Sequence, residues 1–209
     1  MKEASFIEYI RSQSVFDPAV VPVGPGDDMA VVRCGDQDLL VAADQVLDGV
    51  HFRLAEHGAR AAGRKAMARN LSDVAAMACV PLAAVATVAL PRGFSEADAK
   101  QMYAGMRELG DAFACPLVGG DVGTWDGELA ISLTILARPG PAGAVLRAGS
   151  RVGDAICVTG AFGAAWRTQR HLTFTPRVAE ARILAGQYGL HSMIDVSDGL
   201  SIDLGHVCK

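Results

Sequence analysis

Residues 29–44 of the chain read MAVVRCGDQDLLVAAD, and this stretch decides the fold of the first half. Two short apolar runs, residues 29–33 and 39–43, are separated by Gly35-Asp36-Gln37-Asp38, whose residue types are typical of a hairpin connection. Asp44 follows the second run directly. The stretch therefore predicts two antiparallel strands, with a carboxylate where the second strand ends.

Outward from this hairpin, the spacing of apolar residues predicts further helices and strands. Helices are expected at residues 4–13, 61–79, 177–187 and 200–207, and in the segment that Ser95-Glu96-Ala97-Asp98 opens as a capping box with Asp in place of Glu. Strands are expected at residues 82–90, 116–118, 128–138, 154–159 and 193–196. The breaker-rich residues 139–143 indicate a domain boundary. Hairpins mixed with crossover helices favour an α+β or mixed α/β fold.

Charge and composition exclude several classes of protein. The 209 residues carry a net charge of −4, and no basic stripe is present to bind a nucleic-acid backbone. A hydrophobic fraction of 51% excludes a disordered chain. The N-terminal residues lack the apolar run of a signal peptide, and no run is long enough to span a bilayer. Because the five cysteines are scattered, we expect free thiols in a cytoplasmic protein. From the charge and the lack of a long apolar run, we expect it to bind neither nucleic acid nor membranes.

Aspartate outnumbers glutamate by 16 to 7, and many aspartates stand at the ends of predicted strands or in adjacent turns. These are Asp27, Asp28, Asp44, Asp121, Asp195 and Asp198, whereas Asp73 lies within a predicted helix. Carboxylates that converge on one site repel one another unless cations hold them together. Mg²⁺ and Ca²⁺ prefer such oxygen ligands, and Mg²⁺ completes its shell with water and phosphate oxygens. The pattern therefore predicts a phosphate site bridged by metal.

Simpler explanations exist for each aspartate taken alone. Gly-Asp pairs are ordinary turn residues, and Asp73 is one helical turn from Arg69, with which it can form an ion pair. The motifs of several other phosphate- or metal-using enzymes are missing, since the sequence contains no P-loop, no Gly-x-Gly-x-x-Gly and no His-Glu-x-x-His. The residues alone thus leave open whether the aspartates meet in space.

Six segments carry a resemblance to a known family. They are residues 24–31 (GPGDDMAV), 43–52 (ADQVLDGVHF), 70–77 (NLSDVAAM), 119–121 (GGD), 147–154 (RAGSRVGD) and 195–200 (DVSDGL). In their order and their gaps these segments resemble the thiamine-monophosphate kinase family, in the superfamily of aminoimidazole-ribonucleotide synthetase and selenophosphate synthetase. Each segment is a weak signal alone, and the six together are a strong one.

The resemblance implies an ATP-dependent kinase that converts thiamine monophosphate to thiamine diphosphate by in-line phosphoryl transfer assisted by several Mg²⁺ ions. It implies Mg²⁺ ligation by Asp27, Asp44, Asp73, Asp121, Asp195 and Asp198, and it ranks Asp28 lower as a direct ligand. It makes Asp44, Asp121 and Arg147 the expected catalytic residues. It also implies that Gly120, Asp121, Arg147 and Ser197 contact ATP and that His51 contacts the thiamine phosphate.

The resemblance further implies a homodimer that forms through the N-terminal sheets. Residues 1–139 are then the ATP- and Mg-binding and dimerisation domain, and residues 140–209 begin a second α/β domain. We expect that second domain to be incomplete, because family members usually continue well beyond the position of Lys209. The chain departs from the family at Ala42 and Ala43, where hydroxyl side chains are common, and at Val122, where threonine is frequent.

Two alternatives to the kinase remain open at this point. One is another ATP-dependent synthetase of the superfamily, and the other is an inactive remnant that binds nucleotide or dimerises. The segment at residues 44–52 favours the thiamine branch. No cysteine precedes the Gly26-Asp27-Asp28 turn, which argues against the selenophosphate branch.

Overall fold

The computed structural model describes residues 3–208, and its elements form a mixed α/β architecture, as the sequence predicts. The helices in this part of the chain are α1 (Glu3–Gln13), α2 (Leu54–Ala76), α3 (Glu96–Ala112), α4 (Arg170–Thr173), α5 (Val178–Gln187) and α6 (Leu200–Val207). The strands are β1 (Ala30–Cys34), β2 (Gln37–Leu47), β3 (Val80–Pro91), β4 (Leu117–Trp125) and β5 (Ala130–Arg138). None of these helices is both long and apolar enough to cross a membrane.

The predicted hairpin is present and is longer than the sequence indicates. β1 and β2 are antiparallel with Cys34 opposite Gln37, and Gly35 in the connection has a φ of 65°, a left-handed conformation that favours glycine. β2 continues past Asp44 to Leu47 because residues 44–47 pair with residues 130–133 of β5. Asp44 therefore lies inside a strand, and the expectation that it ends one is wrong.

The strands form one five-stranded sheet, in the order β1-β2-β5-β3-β4. β3 and β4 are parallel and are joined through α3, while the other neighbours are antiparallel. Along β5, Ile131, Leu133 and Ile135 alternate into the core, where they are fully buried. Val85 and Thr87 of β3 point the other way and are exposed. One face of the sheet is thus covered, chiefly by α2 and α3, and the other is open.

α2 and α3 approach each other closely at two glycines. A Cβ atom on Gly63 would lie 2.0 Å from the Met102 carbonyl oxygen, and one on Gly105 would lie 2.1 Å from the Arg60 carbonyl oxygen. Both neighbours are backbone atoms, which cannot turn aside as a side chain can. The absence of a side chain at these two positions therefore sets the distance between the helices.

The N-terminus of α3 confirms the predicted cap, since Ser95 Oγ accepts a hydrogen bond from the Asp98 amide at 3.0 Å. This bond satisfies one of the amide groups that the first helical turn leaves free. We expect Ser95→Ala to lower the free energy of unfolding by about 1 kcal/mol, measured by urea denaturation. Ser201→Ala, on the exposed side of α6, is the control, and an equal loss in both variants would contradict the capping role.

The second half of the chain differs from two predictions. Residues 154–159 and 193–196 are expected to be strands but form none, and Ile156 is 68% exposed. A strand needs a neighbour to complete its backbone hydrogen bonds, and within residues 3–208 neither segment has one. The predicted helices α5 and α6 are confirmed, whereas the short α4 was not predicted. Leu172 of α4 and Val178 of α5 belong to the same hydrophobic core as the sheet.

Candidate metal centre

Three aspartates from distant parts of the sequence meet beside the sheet. Carboxylate oxygens of Asp28, Asp73 and Asp195 all lie within 4.8 Å of one another. Asp28 comes from the turn before β1, Asp73 from α2, and Asp195 from the segment that precedes α6. The fold thus brings together two of the predicted metal ligands, Asp73 and Asp195, with Asp28, which the resemblance ranks lower.

The Gly26-Asp27-Asp28 turn directs its two carboxylates differently. Asp27 accepts hydrogen bonds from the backbone amides of Asp28 and Arg147, both at 3.0 Å. Asp28 points inward, where its side chain is only 2% exposed and both oxygens accept hydrogen bonds from the Arg147 guanidinium. Burial raises the pKa of Asp28 to about 6, although Arg147 opposes the shift. Asp27 therefore holds the turn and the Arg147 backbone in place, while Asp28 faces the other carboxylates.

Asp73 is the least compensated member of the group. Among residues 3–208, no hydrogen bond or ion pair involves its carboxyl group, and three other carboxylates surround it. Burial, followed by the charges of Asp44, Asp195 and Asp28, raises the pKa of Asp73 to about 9. Without added positive charge, this carboxyl group therefore holds a proton at neutral pH.

Asp44 and Arg69 form an ion pair at the edge of the group. The Arg69 guanidinium donates to both oxygens of Asp44, at 2.9 and 3.0 Å. The simpler explanation that Arg69 is the ion-pair partner of Asp73 is thus not what the structure shows. Asp44 reaches α2 because it is paired with Leu133, whose side chain lies on the covered face of the sheet.

The DVSDGL segment contributes one of its two carboxylates, that of Asp195, to the group. Ser72 of α2 donates a hydrogen bond to Asp195 at 2.7 Å, and burial raises the pKa of Asp195 despite this bond. Ser197 and Asp198 are exposed. The amide of Asp198 donates to the buried carboxylate of Asp203, a residue outside the predicted ligand set. Asp203 thus fixes the turn from which α6 begins.

Gly120 and Asp121 lie on β4, apart from the three carboxylates. A Cβ atom on Gly120 would be 1.7 Å from the Ala86 carbonyl oxygen, so glycine is required where β4 approaches β3. Asp121 pairs in register with Thr87 and is exposed. In the part of the chain that the structure describes, no hydrogen bond or ion pair involves the Asp121 carboxylate. The structure therefore does not bring Asp121 into the group.

His51 lies in the connection between β2 and α2, near the Asp44–Arg69 pair. Its Nδ1 atom accepts a hydrogen bond from the Leu47 amide at 3.0 Å. Burial and the nearby charges of Arg69 and Lys65 lower the pKa of His51. The imidazole is therefore neutral at pH 7, with its proton on Nε2.

Several residues of this site lie on one face of α2, at a spacing that the sequence displays. Lys65, Arg69 and Asp73 follow one another at intervals of four, and Ser72 is adjacent to Asp73. That polar stripe is the signal by which Arg69, Ser72 and Lys65 can be found from sequence. The hard oxygen donors of Asp28, Asp73 and Asp195 fit Mg²⁺ or another divalent cation, because a cation offsets the burial and the repulsion that keep Asp73 protonated.

Comparison with known proteins gives the family. Residues 26–138 match the family described as AIR synthase related protein, N-terminal domain. The thiamine-monophosphate kinase of Rhodopirellula baltica is 42% identical over 213 residues, which cover 97% of this chain and 65% of that relative. The chain belongs to the thiamine-monophosphate kinase family. Because it spans 65% of the length of this relative, the activity of a whole thiamine-monophosphate kinase remains a proposal for this chain.

Solved thiamine-monophosphate kinases share the fold. The enzyme from Stenotrophomonas maltophilia K279a is 31% identical and superposes with a TM-score of 0.74 over 99% of this chain and 71% of its own. AaThiL complexed with AMPPCP and TMP is 25% identical, with a TM-score of 0.77 over 98% of this chain and 67% of its own. The similarity therefore includes the second half of the chain as well as the matched N-terminal domain.

Proposed function

We propose that this chain, in the cytoplasm, transfers a phosphoryl group from ATP to thiamine monophosphate and forms thiamine diphosphate. The observation that supports this most is the group of Asp28, Asp73 and Asp195, in which Asp73 forms no hydrogen bond or ion pair among the described residues. Such a group favours a divalent cation, and Mg²⁺ brings phosphate oxygens with it. The related AaThiL was solved with AMPPCP and TMP, and we propose that the present chain also binds a nucleotide and this second ligand.

In this proposal, Asp28, Asp73 and Asp195 hold one Mg²⁺, with Asp27 and Asp44 as further ligands. Asp121 and Asp198, which lie outside this group, are ligands of the other Mg²⁺ ions. The cations supply the positive charge that lets two anionic phosphates approach in line. Arg147, which Asp28 holds in place, adds a fixed positive charge. Gly120, Asp121, Arg147 and Ser197 contact ATP, and Asp44, Asp121 and Arg147 are the catalytic residues.

The acceptor needs no general base. The second pKa of a phosphate monoester is about 6, so the attacking oxygen is already largely ionised at neutral pH. Catalysis then depends on position and on charge compensation. A neutral His51 that receives the Leu47 amide at Nδ1 has an N–H group at Nε2, which suits donation to a phosphate oxygen of thiamine monophosphate.

We also propose that the chain forms a homodimer through the open face of its sheet. That face carries exposed apolar side chains, among them Leu82 and Val85, each 39% exposed. Apolar side chains on an uncovered sheet face favour pairing with another sheet. Residues 1–139 would form the nucleotide-binding and dimerisation domain, and residues 140–209 would begin the second domain.

We expect Asp44→Asn and Asp121→Asn each to lower the rate of thiamine diphosphate formation by about 100-fold or more, because charge compensation at transferring phosphates is the main catalytic term. The assay supplies ATP, Mg²⁺ and thiamine monophosphate and measures the diphosphate product. Asp126→Asn is the matched control, since Asp126 is exposed and forms its ion pair with Arg92 at the surface. Near-normal rates at saturating Mg²⁺ would refute the two roles. Nucleotide binding without product in the unsubstituted chain would favour the inactive remnant.

A further inference from the structure

Lys65 is a buried cation that has no acidic partner in the part of the chain that the structure describes. It lies in the middle of α2 and is 8% exposed, and among residues 3–208 no carboxylate forms an ion pair with it. Its ammonium group donates a hydrogen bond to the His51 carbonyl oxygen and lies 2.9 Å from Nδ1 of His171. Burying an ammonium group costs free energy unless it is well bonded, so this position calls for an explanation.

The loop that Lys65 contacts is the one that carries His51. This loop is closed by hydrogen bonds of its own, from the Gly49 amide to the Phe52 carbonyl oxygen and from the His51 amide to the Leu47 carbonyl oxygen. The Asp48 carboxylate accepts a further hydrogen bond from the Leu54 amide, at the first residue of α2. Lys65 ties the His51 backbone to the interior of α2, one helical turn from Arg69. The backbone of His51 is therefore held in place by Lys65, and its imidazole ring is oriented by the Leu47 amide.

His171 is the second anchor of the Lys65 ammonium group. Its ring is stacked on Trp166 at 4.5 Å between centroids, with 13° between the planes, and His57 meets it edge-on at 5.8 Å. These contacts hold Nδ1 of His171 towards Lys65. His171 belongs to α4, in the second half of the chain. Lys65 therefore links the His51 loop, α2 and α4 at one point.

We propose that Lys65, backed by His171, is a positioning residue that fixes His51 for the phosphate-bearing acceptor. This inference rests on the proposed function, in which His51 contacts thiamine monophosphate. It assigns to Lys65 no contact with the nucleotide, because among residues 3–208 the Lys65 ammonium group bonds to His51 and His171 alone. Loss of the Lys65 bonds should therefore affect the acceptor and leave the donor unaffected.

The test replaces Lys65 by methionine, which has a similar length and no charge. We expect Lys65→Met to raise the KM for thiamine monophosphate about tenfold while kcat and the KM for ATP change less than about twofold. Lys100→Met is the matched control, since Lys100 is exposed on α3 and pairs with Glu96. Equal changes in both KM values, or none in either, would overturn the inference. His171→Phe keeps a ring against Trp166 without the acceptor nitrogen, and should shift the same KM in the same direction.

A second measurement separates this inference from the proposed function. Hydrogen exchange of the Leu47 and His51 amides reports whether the loop is held, and it needs no turnover. Faster exchange in Lys65→Met and unchanged exchange in Lys100→Met would support the positioning role, and unchanged exchange in both would overturn it. If the unsubstituted chain neither binds nor converts thiamine monophosphate, the proposed function fails, and the exchange data still decide whether Lys65 fixes the loop.

Discussion

Replacement of Asp73 by asparagine is expected to raise the unfolding temperature of the cation-free protein at pH 8 by about 5 °C, which corresponds to about 2 kcal/mol for a chain of this size. The same replacement is expected to abolish stabilisation by divalent cations. Few substitutions stabilise a fold and remove its function together, and this combination is diagnostic of a carboxylate kept for ligand binding. Thermal unfolding with and without Mn²⁺, followed by circular dichroism, measures both effects.

The stabilisation follows from the pKa of Asp73, which rises from 3.8 in an ordinary setting to about 9 in the fold. Between these two values the folded chain keeps a proton that the unfolded chain has released. The contribution of Asp73 to the free energy of unfolding is therefore fully present below the lower pKa and is lost as the pH rises towards the higher one. Each pKa unit corresponds to about 1.4 kcal/mol, so the loss at pH 8 is several kcal/mol. Asparagine recovers only part of this, because its amide must also be buried.

A pH series and a matched variant give the controls. At pH 4 the unsubstituted protein and Asp73→Asn should unfold at similar temperatures, since the aspartate is protonated in nearly all folded molecules and in many unfolded ones. Asp111→Asn, which replaces an exposed aspartate on α3, should follow the unsubstituted protein at every pH and with every cation. A lower unfolding temperature for Asp73→Asn at pH 8, or undiminished stabilisation by Mn²⁺, would contradict the account of this site.

Local signals in the sequence predict the first half of the fold well. The hairpin depends on two apolar runs and the short turn between them, all within one stretch of sequence. The cap of α3 depends on Ser95 and Asp98, which are three residues apart. The failures concern segments whose state depends on distant partners. Residues 154–159 have the composition of a strand, yet within the described residues no strand pairs with them. Composition reports the preference of a segment and not the presence of its neighbour.

The candidate site shows the same division. The positions of the aspartates suggest a shared site but do not show that they meet, and in the structure Asp28, Asp73 and Asp195 do meet. Which of Asp27 and Asp28 faces inward is not predictable, because it depends on the backbone of the turn, where Gly26 has a φ of 132°. The partner of Arg69 is equally ambiguous, since helical spacing favours Asp73 and only the sheet register brings Asp44 within reach.

Replacement of Gly105 by alanine is expected to lower the free energy of unfolding by about 3 kcal/mol, or about 10 °C in unfolding temperature. The added Cβ atom would lie 2.1 Å from the Arg60 carbonyl oxygen and 2.9 Å from the Arg64 amide nitrogen, both in the backbone of α2. The two helices must then move apart, and the contacts between them loosen over their length. Alanine favours a helix over glycine by about 1 kcal/mol, which offsets only part of the loss.

Gly186→Ala isolates the effect of that contact from the effect of helix propensity. Gly186 lies in α5, and a Cβ atom there would meet nothing within 4 Å, so this variant should gain up to about 1 kcal/mol. Opposite signs in the two variants, measured by urea denaturation, would locate the cost at the crossing of α2 and α3. Because α2 also carries Arg69 and Asp73, Gly105→Ala should weaken stabilisation by Mn²⁺ as well. Equal gains in both variants would mean that the helices are free to separate, and the close crossing would then have no part in holding the carboxylates together.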